Sequence, residues 1–539
     1  MSGHLPVLIV GAGPTGLMMA CALERYDIPF RIIDKNSAPT QGSNATWIQS
    51  RTLEILDLVG LKEAFLKEGN YCHAINLYAD GAHLTKLTFD HLDSTYPFIL
   101  MLPQRVTEQL LNQRLEASKI RVERPLELIR VDKKNQVMTA IVKHADGDTE
   151  MIPCDWLIAC DGANSMVRTQ SHLPFLGQDL PEQFMVADAQ MSSFLSHNEI
   201  HVFFDKGTIF PGKGVLLAAF PWGSNQYRLT ANLYLNQPRK IFTEQEVREV
   251  VAERSHGNYI VDNVSWISPF WIGSKLVENM RENSIFLAGD AAHIHSPVGG
   301  QGMNTGIQDA YNLAWKLALV IKGKTKLSLL DSYQEERYPV VHEVVKKTEC
   351  YTNMILFDAR FISKLRQFCR RIEQQPKKLS KKIGMMLTQL EVRYKKSSVI
   401  HYQTQATKKF FLPGERVPDV KINHTKYLYD YFRNTQHIVF LFTGSQAGES
   451  HKNKMQTLKT WLFKTYADLV VVYIVTTPKT HADWQEKETI FDEALKLHEH
   501  FHIKRTGIYL IRPDNYIAYC SKGLTFPGFE EFLKNYLIG

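Results

Sequence analysis

The chain opens on a pattern that is typical of a strand, a tight turn and a helix. Residues 5–10 form a short apolar run rich in β-branched side chains, which predicts a buried parallel strand. The turn GAGPTG at residues 11–16 follows at once, and a helical pattern then continues to about Arg25. Residues 29–34 predict a second strand, which ends in the acid Asp34. This order of elements indicates an α/β unit with a parallel sheet.

Regular patterns recur further along the chain. Residues 154–161 and 284–290 predict apolar strands that run into turns containing Gly and Asp, and residues from Met303 onward predict a long helix with a buried stripe. Residues 184–235 alternate as strands do. From about residue 410, strands are predicted at 437–443, 469–476 and 507–511, with a helix near 492–501. This last pattern is a βαβ arrangement of its own.

Length and composition limit the class of protein. At 539 residues and 61.9 kDa, the chain is too long for one hydrophobic core, so two to four domains are expected. No run reaches the ~18 apolar residues that a membrane-spanning helix needs. The first residues show neither a basic start nor a cleavable apolar segment, and a cytoplasmic location is expected. Seven scattered cysteines are best interpreted as reduced thiols.

The positive charge is concentrated in one stretch. Residues 361–410 hold thirteen Lys or Arg against Glu373 and Glu391, a local charge of +11, so the rest of the chain carries −4 of the net +7. Because the surplus is confined to one predicted helical stretch, a solvated helical face is favoured over a nucleic-acid site. Contact with a membrane surface or an anionic substrate stays open.

The first turn has the residue types that bind a dinucleotide. Gly11 permits the tight turn, Gly13 lets the backbone approach a pyrophosphate, and Gly16 lets helix and strand pack closely. The N-terminus of the helix favours phosphate, and Asp34 is placed to accept hydrogen bonds from a ribose. This motif alone does not separate FAD from NAD. Its predicted cofactor-binding residues are Gly11, Gly13, Pro14, Thr15, Gly16, Asp34 and Lys35.

Two later segments favour FAD over NAD. Residues 154–168 (CDWLIACDGANSMVR) and 284–304 (SIFLAGDAAHIHSPVGGQGMN) follow the first turn in order. Together the three segments resemble the class A flavoprotein monooxygenases, the para-hydroxybenzoate hydroxylase and phenol hydroxylase family, over residues 5–400. Residues 413–419 (PGERVPD) and 512–514 (RPD) are similar to the larger aromatic hydroxylases with a C-terminal thioredoxin-like domain.

The resemblance implies a fold and its division. It implies a Rossmann-like α/β domain for FAD that is interleaved with an α+β substrate domain and followed by a thioredoxin-like α/β domain. The FAD-binding domain is expected at residues 1–180 and, with a helical region, at 276–400. The substrate-binding sheet is expected at 181–275 and the thioredoxin-like domain at 410–539. Residues 443–446 (TGSQ) lack a cysteine pair, so this last domain is expected to be structural or to form dimer contacts.

Further cofactor residues follow from the resemblance alone. It places Asp290 at the ribityl or pyrophosphate region of FAD and the start of the long helix at the pyrimidine edge of the flavin, with Pro297 at the boundary of the space for oxygen transfer. One departure is Asn44, where many relatives carry an arginine, and this leaves nearby contacts in doubt. The remaining residues assigned to the cofactor are Arg51, Gln104, Asp161, Gly289, Asp290, Pro297, Gly302, Met303 and Asn304.

Substrate residues are sought in the predicted sheet. Five residues are candidates for lining a cavity beside the flavin, although each is individually more often a core residue. They are Phe203, Phe220, Pro221, Trp222 and Tyr227. A metal site at His293 and His295 is disfavoured because no third ligand is near them in the sequence. No residue is assigned as a catalytic acid or base.

The resemblance implies an FAD-dependent monooxygenase that hydroxylates an aromatic or phenol-like compound, with polycyclic compounds included. NADH or NADPH would reduce the flavin, and O₂ would react through a C4a-hydroperoxyflavin. An aromatic small molecule and O₂ are the expected partners, with no nucleic acid, no membrane span and a homodimer as one arrangement. An FAD-dependent reductase or halogenase on the same scaffold, or a non-catalytic flavin-binding scaffold, is the alternative.

Overall fold

A computed structural model describes most of the chain. The described residues are 7–39, 42, 45–134, 137–206, 214–233, 241–358, 360–401, 412–423, 425–444, 449–484, 487–524 and 526–538. Asn44, Ser445 and Gln446 lie outside them. None of the described helices is long and apolar enough to cross a membrane.

The strands are numbered along the chain. They are β1 Val7–Val10, β2 Phe30–Ile33, β3 Trp47–Ile48, β4 Asn70–Cys72, β5 Ala74–Ala79, β6 Ala82–Thr88, β7 Ile99–Met101, β8 Leu126–Lys134, β9 Val137–His144, β10 Thr149–Cys154, β11 Trp156–Ala159, β12 Phe175–Ser193, β13 Glu199–Lys206, β14 Gly214–Gly223, β15 Gln226–Leu233, β16 Tyr259–Val277, β17 Arg281–Glu282, β18 Ile285–Leu287, β19 His293–Ile294, β20 His437–Phe442, β21 Val470–Thr476, β22 Thr489–Phe491, β23 Gly507–Ile511 and β24 Ile517–Lys522.

The helices are numbered in the same way. They are α1 Pro14–Arg25, α2 Ser50–Leu58, α3 Lys62–Glu68, α4 Gln104–Ala117, α5 Met166–Gln170, α6 Glu244–Arg254, α7 Gly302–Ile321, α8 Asp331–Phe357, α9 Phe361–Gln374, α10 Pro376–Leu387, α11 Glu449–Tyr466, α12 Lys496–His500 and α13 Phe526–Tyr536.

The first sheet has the order β17-β18-β11-β1-β2, with β18, β11, β1 and β2 parallel. The three apolar strands predicted from the sequence therefore lie side by side, and their following turns meet at one edge. Helices α1 and α7 pack against each other beside this sheet. The predicted stripe of α7 understates its burial, because Asn304–Leu319 are all buried. This arrangement confirms the Rossmann-like part of the predicted fold.

A larger sheet has the order β19-β16-β12-β15-β14-β13-β5-β6. It extends beyond the predicted range 181–275, because β5 and β6 pair onto it through β13. Strand pairing between distant segments is not visible in local periodicity, so sequence patterns placed β5 and β6 with the first domain. Helix α6 covers one face of this sheet. Helix α8 packs against β14 and β16, and helices α9 and α10 pack against β6.

The C-terminal sheet has the order β22-β21-β20-β23-β24, in which β20 and β21 are parallel and β23 and β24 are antiparallel neighbours. With α11 after β20 and α13 after β24, this is the thioredoxin topology, as predicted. The strand predicted at 507–511 is β23, and those at 437–443 and 469–476 are each one residue longer than the observed strands. Helix α12 is shorter than predicted, and α11 was not foreseen.

Candidate active site

The turn at residues 11–16 has the geometry of a phosphate-binding loop. Gly11 has φ +99°, and a Cβ there would lie 2.2 Å from the carbonyl oxygen of Cys160. A Cβ on Gly16 would lie 1.9 Å from the carbonyl oxygen of Gly11. A Cβ on Gly13 would meet no atom within 4 Å, so this glycine faces open space. Helix α1 begins beside it without a side-chain cap, which leaves the backbone N–H groups of its first turn able to bind an anion.

Asp34 stabilises this turn as well as lining it. Its carboxylate accepts hydrogen bonds from the backbone N–H groups of Ala12 and Asn36, each at 2.8 Å. Arg124 donates to the carbonyl of Ala12 at 3.1 Å and lies 4.0 Å from the Asp34 carboxylate. Lys35 is exposed next to Asp34. The second lone pairs of the carboxylate oxygens leave Asp34 able to accept from a ribose as predicted.

Three segments that are far apart in sequence meet at Thr15. A Cβ on Gly289 would lie 2.5 Å from the Thr15 hydroxyl, and a Cβ on Gly306 would lie 2.3 Å from the same atom. Helices α1 and α7 and the turn that carries Asp290 can therefore approach one another only because glycines stand at these two positions. The Asp290 side chain is accessible to solvent, yet it lies deep in the fold, and desolvation raises its pKa. This combination is typical of a residue that lines a cleft.

Asp161 and Arg168 link the second segment to the third. One Asp161 carboxylate oxygen accepts from the backbone N–H of Met166 at 2.8 Å, and the other is buried without a hydrogen-bond partner among the described residues. Burial raises the pKa of Asp161. Arg168 donates to the carbonyls of Ala291, at 2.9 Å, and Ala163. The buried free acceptor on Asp161 has room for one more donor, such as a hydroxyl of a bound cofactor.

Asp309 on α7 holds the turn that carries Asp290, although no sequence motif singles it out. Its buried carboxylate accepts from the backbone N–H of Gly289 at 3.2 Å, pairs with His293 Nε2 at 2.6 Å and accepts from Arg337 Nε at 2.7 Å. Burial opposes ionisation of Asp309, but Arg337 and His293 lower its pKa overall. His293 therefore acts as a hydrogen-bond partner of the Asp309 carboxylate. Within the described ranges, no three His, Cys, Asp or Glu side chains form a metal-binding group.

The glycine-rich turn before α7 packs on Trp47. Gly299 and Gly300 have φ +81° and +60°, and a Cβ on Gly300 would lie 2.6 Å from the indole. Pro297 is exposed, and Gly302 and Met303 are half-buried at the start of α7. The helix start has no side-chain cap, which leaves the backbone N–H groups of its first turn able to interact with an anion.

Two residues predicted to contact the cofactor have other partners. The Asn304 amide donates to the carbonyls of Trp47 (2.9 Å) and Gly300 (2.8 Å) and accepts from the backbone N–H of Gln49 at 3.0 Å. Its side chain therefore holds the turn. Arg51 is buried and donates to Glu54 at 2.9 Å and to the carbonyl of Asp514 at 2.6 Å. These two contacts occupy the Arg51 guanidinium within the protein, and its contact with the cofactor stays a prediction.

Gln104 lies at the start of α4, beside the segment that carries Trp47. Its backbone N–H donates to the carbonyl of Ala45 at 2.9 Å, and its side-chain amide donates to Glu108 at 2.9 Å. The neighbouring Leu102 N–H donates to the carbonyl of Thr46 at 2.8 Å. Gln104 and Leu102 thus bind the backbone of the segment at Ala45 and Thr46.

The five substrate candidates divide between the two faces of the larger sheet. Phe203 and Tyr227 are fully buried in the core that Val247 and Val251 of α6 complete, so this burial favours a core role for them over the predicted substrate contact. Pro221 pairs with Tyr227 across β14 and β15, which places it on the same face. Successive residues of a strand point to opposite faces, so the neighbouring Phe220 points to the other face. Phe220 and Trp222 pack against the apolar cluster that contains Trp47, and the Trp47 and Phe220 rings lie 5.5 Å apart.

This second face also carries a buried charged pair that sequence reasoning missed. Arg228 lies opposite Phe220 in the sheet and binds both carboxylate oxygens of Asp188, at 2.8 and 2.7 Å. Its third nitrogen lies 3.4 Å from the carbonyl of Ala45. An Arg and an Asp separated by 40 residues give no local signal, and only the pairing of β12 with β15 brings them together.

The binding features fit FAD. The uncapped start of α1 beside the open face of Gly13 suits a pyrophosphate, and the free acceptor of Asp161 suits a hydroxyl. Residues 4–348 match the family described as FAD binding domain. The chain belongs to this family. When bound, FAD supplies the redox chemistry and the reaction with O₂.

Similar proteins agree with this membership. The chain is 33% identical over 450 residues to the 12-dehydrotetracycline 5-monooxygenase/anhydrotetracycline 6-monooxygenase of Streptomyces rimosus, covering 79% of this chain and 83% of that one. It is 27% identical to the pentachlorophenol 4-monooxygenase of Sphingobium chlorophenolicum, covering 96% and 94%. The solved anhydrotetracycline hydroxylase OxyS of Streptomyces rimosus superposes with a TM-score of 0.74 at 26% identity, covering 98% of each chain. The chain is thus an FAD-dependent monooxygenase that uses NADH or NADPH.

Proposed function

We propose that this flavin monooxygenase hydroxylates a phenol-like aromatic compound of one or several fused rings. The observation that carries the proposal is an aromatic wall beside the turn before α7. Trp47 contacts Gly300 directly, and Phe220 and Trp222 continue the wall along the sheet. Leu387 at the end of α10 approaches Gly299 from another side. Flat aromatic rings favour a flat aromatic ligand over an extended aliphatic one.

The protein's own contribution is to bind, orient and exclude water. The wall of Trp47, Phe220 and Trp222 holds the ring next to the turn where the flavin-binding segment begins, which positions the reacting atoms. The same apolar side chains keep water out of that space and so limit the loss of reducing equivalents as hydrogen peroxide. We also propose that the protein contacts the cofactor through Gly13, Asp34, Asp161, Asp290 and the backbone of Gly302–Asn304.

The division of the chain follows the same reasoning. We place the FAD-binding part at residues 1–180 and 276–400, except that β5 and β6 join the substrate sheet of 181–275, and a thioredoxin-like part at 410–539. A homodimer and a cytoplasmic location remain predictions, and sedimentation equilibrium of the purified protein tests the first.

Substrate-stimulated oxidation of NADH or NADPH tests the proposed function. Flavin-loaded protein is expected to oxidise one nucleotide faster with phenols or polycyclic phenols than without them, and to place one atom of ¹⁸O₂ in the product. A reductase would show stimulation with no ¹⁸O in the product, and a non-catalytic scaffold would show no stimulation. Either result, across single-ring and fused-ring phenols, would overturn the proposal.

A matched pair of substitutions tests which face of the sheet binds the substrate. Phe220→Leu is expected to raise KM roughly two- to tenfold, because an aromatic contact is worth roughly 0.5–1.5 kcal/mol. Phe203→Leu is expected to leave KM unchanged and to lower the free energy of unfolding by about 1 kcal/mol, since Phe203 packs in the core under α6. Steady-state kinetics and urea unfolding of both variants give the answer. The reverse assignment of the two effects would place the substrate on the α6 face.

A further inference from the structure

Helices α9 and α10 present a basic surface to solvent. We define the basic surface as Lys364, Arg366, Arg370, Arg371, Lys377, Lys378, Lys381 and Lys382. Glu373 is the one acidic residue on the two helices. Eight cations against one anion within two short, consecutive helices create a strong local positive field, in a chain whose remaining residues sum to zero charge.

The inner faces of the two helices fix the basic surface rigidly to the fold. Phe361 packs edge-on against Phe204 with ring centroids 5.2 Å apart, and Ile362, Leu365 and Cys369 are buried beside it. Ile372, Leu379, Ile383 and Leu387 continue this apolar contact toward the cluster that contains Trp47. The cations therefore project from a packed platform and keep their relative positions.

Most of these cations are not neutralised within the protein. Lys364, Arg366 and Lys381 pair with Asp358, Asp80 and Asp93. Arg370, Arg371, Lys377, Lys378 and Lys382 form no ion pair with any part of the chain that the structure describes. These five exposed charges repel one another in the free protein, and an anionic partner would relieve that repulsion.

An aromatic ring stands among the charges. Phe368 is 41% exposed and lies one turn from Lys364 and Arg371 on α9. Exposed cations around an exposed aromatic ring are typical of helices that lie in the interface of a membrane, where the ring enters the headgroup region and the cations bind anionic lipid. A single-stranded nucleic acid instead requires several rings for base stacking, and this surface offers one.

We propose that the basic surface binds the chain peripherally to an anionic lipid bilayer. Charge complementarity supplies long-range attraction, and Phe368 supplies short-range apolar contact. The basic surface does not depend on the identity of the substrate, because α9 and α10 form it whatever compound the cavity binds. It does not require a spanning segment.

Vesicle co-sedimentation of the flavin-loaded protein tests this proposal. The protein is expected to sediment with phosphatidylcholine vesicles that contain about one-third phosphatidylglycerol and not with pure phosphatidylcholine vesicles. Raising the salt from about 0.05 M to about 0.5 M is expected to release it, since the Debye length shortens severalfold. Binding to both vesicle types alike, or to neither, would overturn the proposal.

Two variants separate this surface from general charge. Combined Arg370→Gln, Arg371→Gln, Lys377→Gln and Lys378→Gln are expected to weaken partition at least about tenfold, since each cation near an anionic surface contributes severalfold. The matched control combines Lys346→Gln, Lys454→Gln, Lys479→Gln and Lys496→Gln, which removes the same charge from exposed positions elsewhere and is expected to keep binding. Phe368→Ser is expected to weaken binding at low and intermediate salt.

The opposite results are equally clear. If the fourfold α9–α10 variant binds vesicles as tightly as the wild type while it keeps FAD and its unfolding temperature, the basic surface is not the contact. If the wild type binds a duplex or single-stranded oligonucleotide at the same salt but no vesicles, its partner is a nucleic acid and the proposal fails.

Discussion

Arg512→Ala is expected to lower the free energy of unfolding by about 3–5 kcal/mol, because it leaves buried carboxylates without their main counterion. Arg512 follows β23 in the C-terminal domain and binds both oxygens of Glu336 on α8 and both of Asp514. The side chains of Arg512 and Glu336 are fully buried, and that of Asp514 is nearly so. In the variant, Lys316, 2.7 Å from Glu336, is the one cation among the described residues that would still form an ion pair with Glu336.

The pH dependence gives a second readout of the same cluster. Although burial opposes ionisation, Arg512 and Lys316 hold the pKa of Glu336 far below its ordinary value. A carboxylate with a lowered pKa stabilises the folded state above its ordinary pKa, about 4.3, and this stability is lost as the pH falls through the lowered value. Removing Arg512 raises the pKa of Glu336, so acid unfolding of the variant is expected at a higher pH.

Urea unfolding at neutral pH measures the effect, with Arg130→Ala as the control. Arg130 pairs with Asp132 at 2.8 Å, but both side chains are substantially exposed, so its loss is expected to cost less than about 1 kcal/mol. Equal losses in the two variants would show that the buried cluster does not hold the C-terminal domain to α7 and α8. The C-terminal domain would then be free of the structural role that these contacts indicate.

The Rossmann-like part was predictable because its signals are local. Each apolar strand is followed at once by its turn. Gly11 has φ +99°, and a Cβ on Gly16 would lie 1.9 Å from the carbonyl oxygen of Gly11, so both glycines are required by local backbone geometry. The assembly of the three turns at one edge then follows from parallel pairing. The resemblance to known flavoproteins added the choice of FAD, which the first turn alone did not make.

Local patterns cannot show contacts between residues that are distant in sequence. Phe203 and Phe220 look alike in an alternating pattern, and only the register of β13, β14 and β15 shows that they face opposite sides. Nothing in the sequence distinguishes Arg51 from a free cation. In the structure it binds Glu54 and the turn at Asp514, which is more than 400 residues away. Periodicity shows which residues of a strand share a face of the sheet, but not which helix or sheet covers that face.

Asp309→Ala is expected to destabilise the apoprotein by about 3–5 kcal/mol and also to weaken FAD binding, whereas Asp290→Ala is expected to weaken FAD binding alone. Asp309 is fully buried between Arg337 and His293, and its loss leaves a buried cation unpaired. It also removes the bond to the Gly289 N–H that holds the turn carrying Asp290. Asp290 is accessible to solvent, so removing its carboxylate leaves no buried charge unpaired.

The two variants are distinguished by measuring both properties on each protein. Urea unfolding of the apoproteins gives the stability, and quenching of flavin fluorescence on titration gives the affinity for FAD. Asp309→Asn keeps an acceptor for the Gly289 N–H but not the charge facing Arg337, and an intermediate stability is expected for it. Wild-type affinity in Asp290→Ala would remove Asp290 from the cofactor site. Wild-type stability of the Asp309→Ala apoprotein would mean that the contacts with Arg337 and His293 do not stabilise this turn, and that α7 is held by its apolar packing.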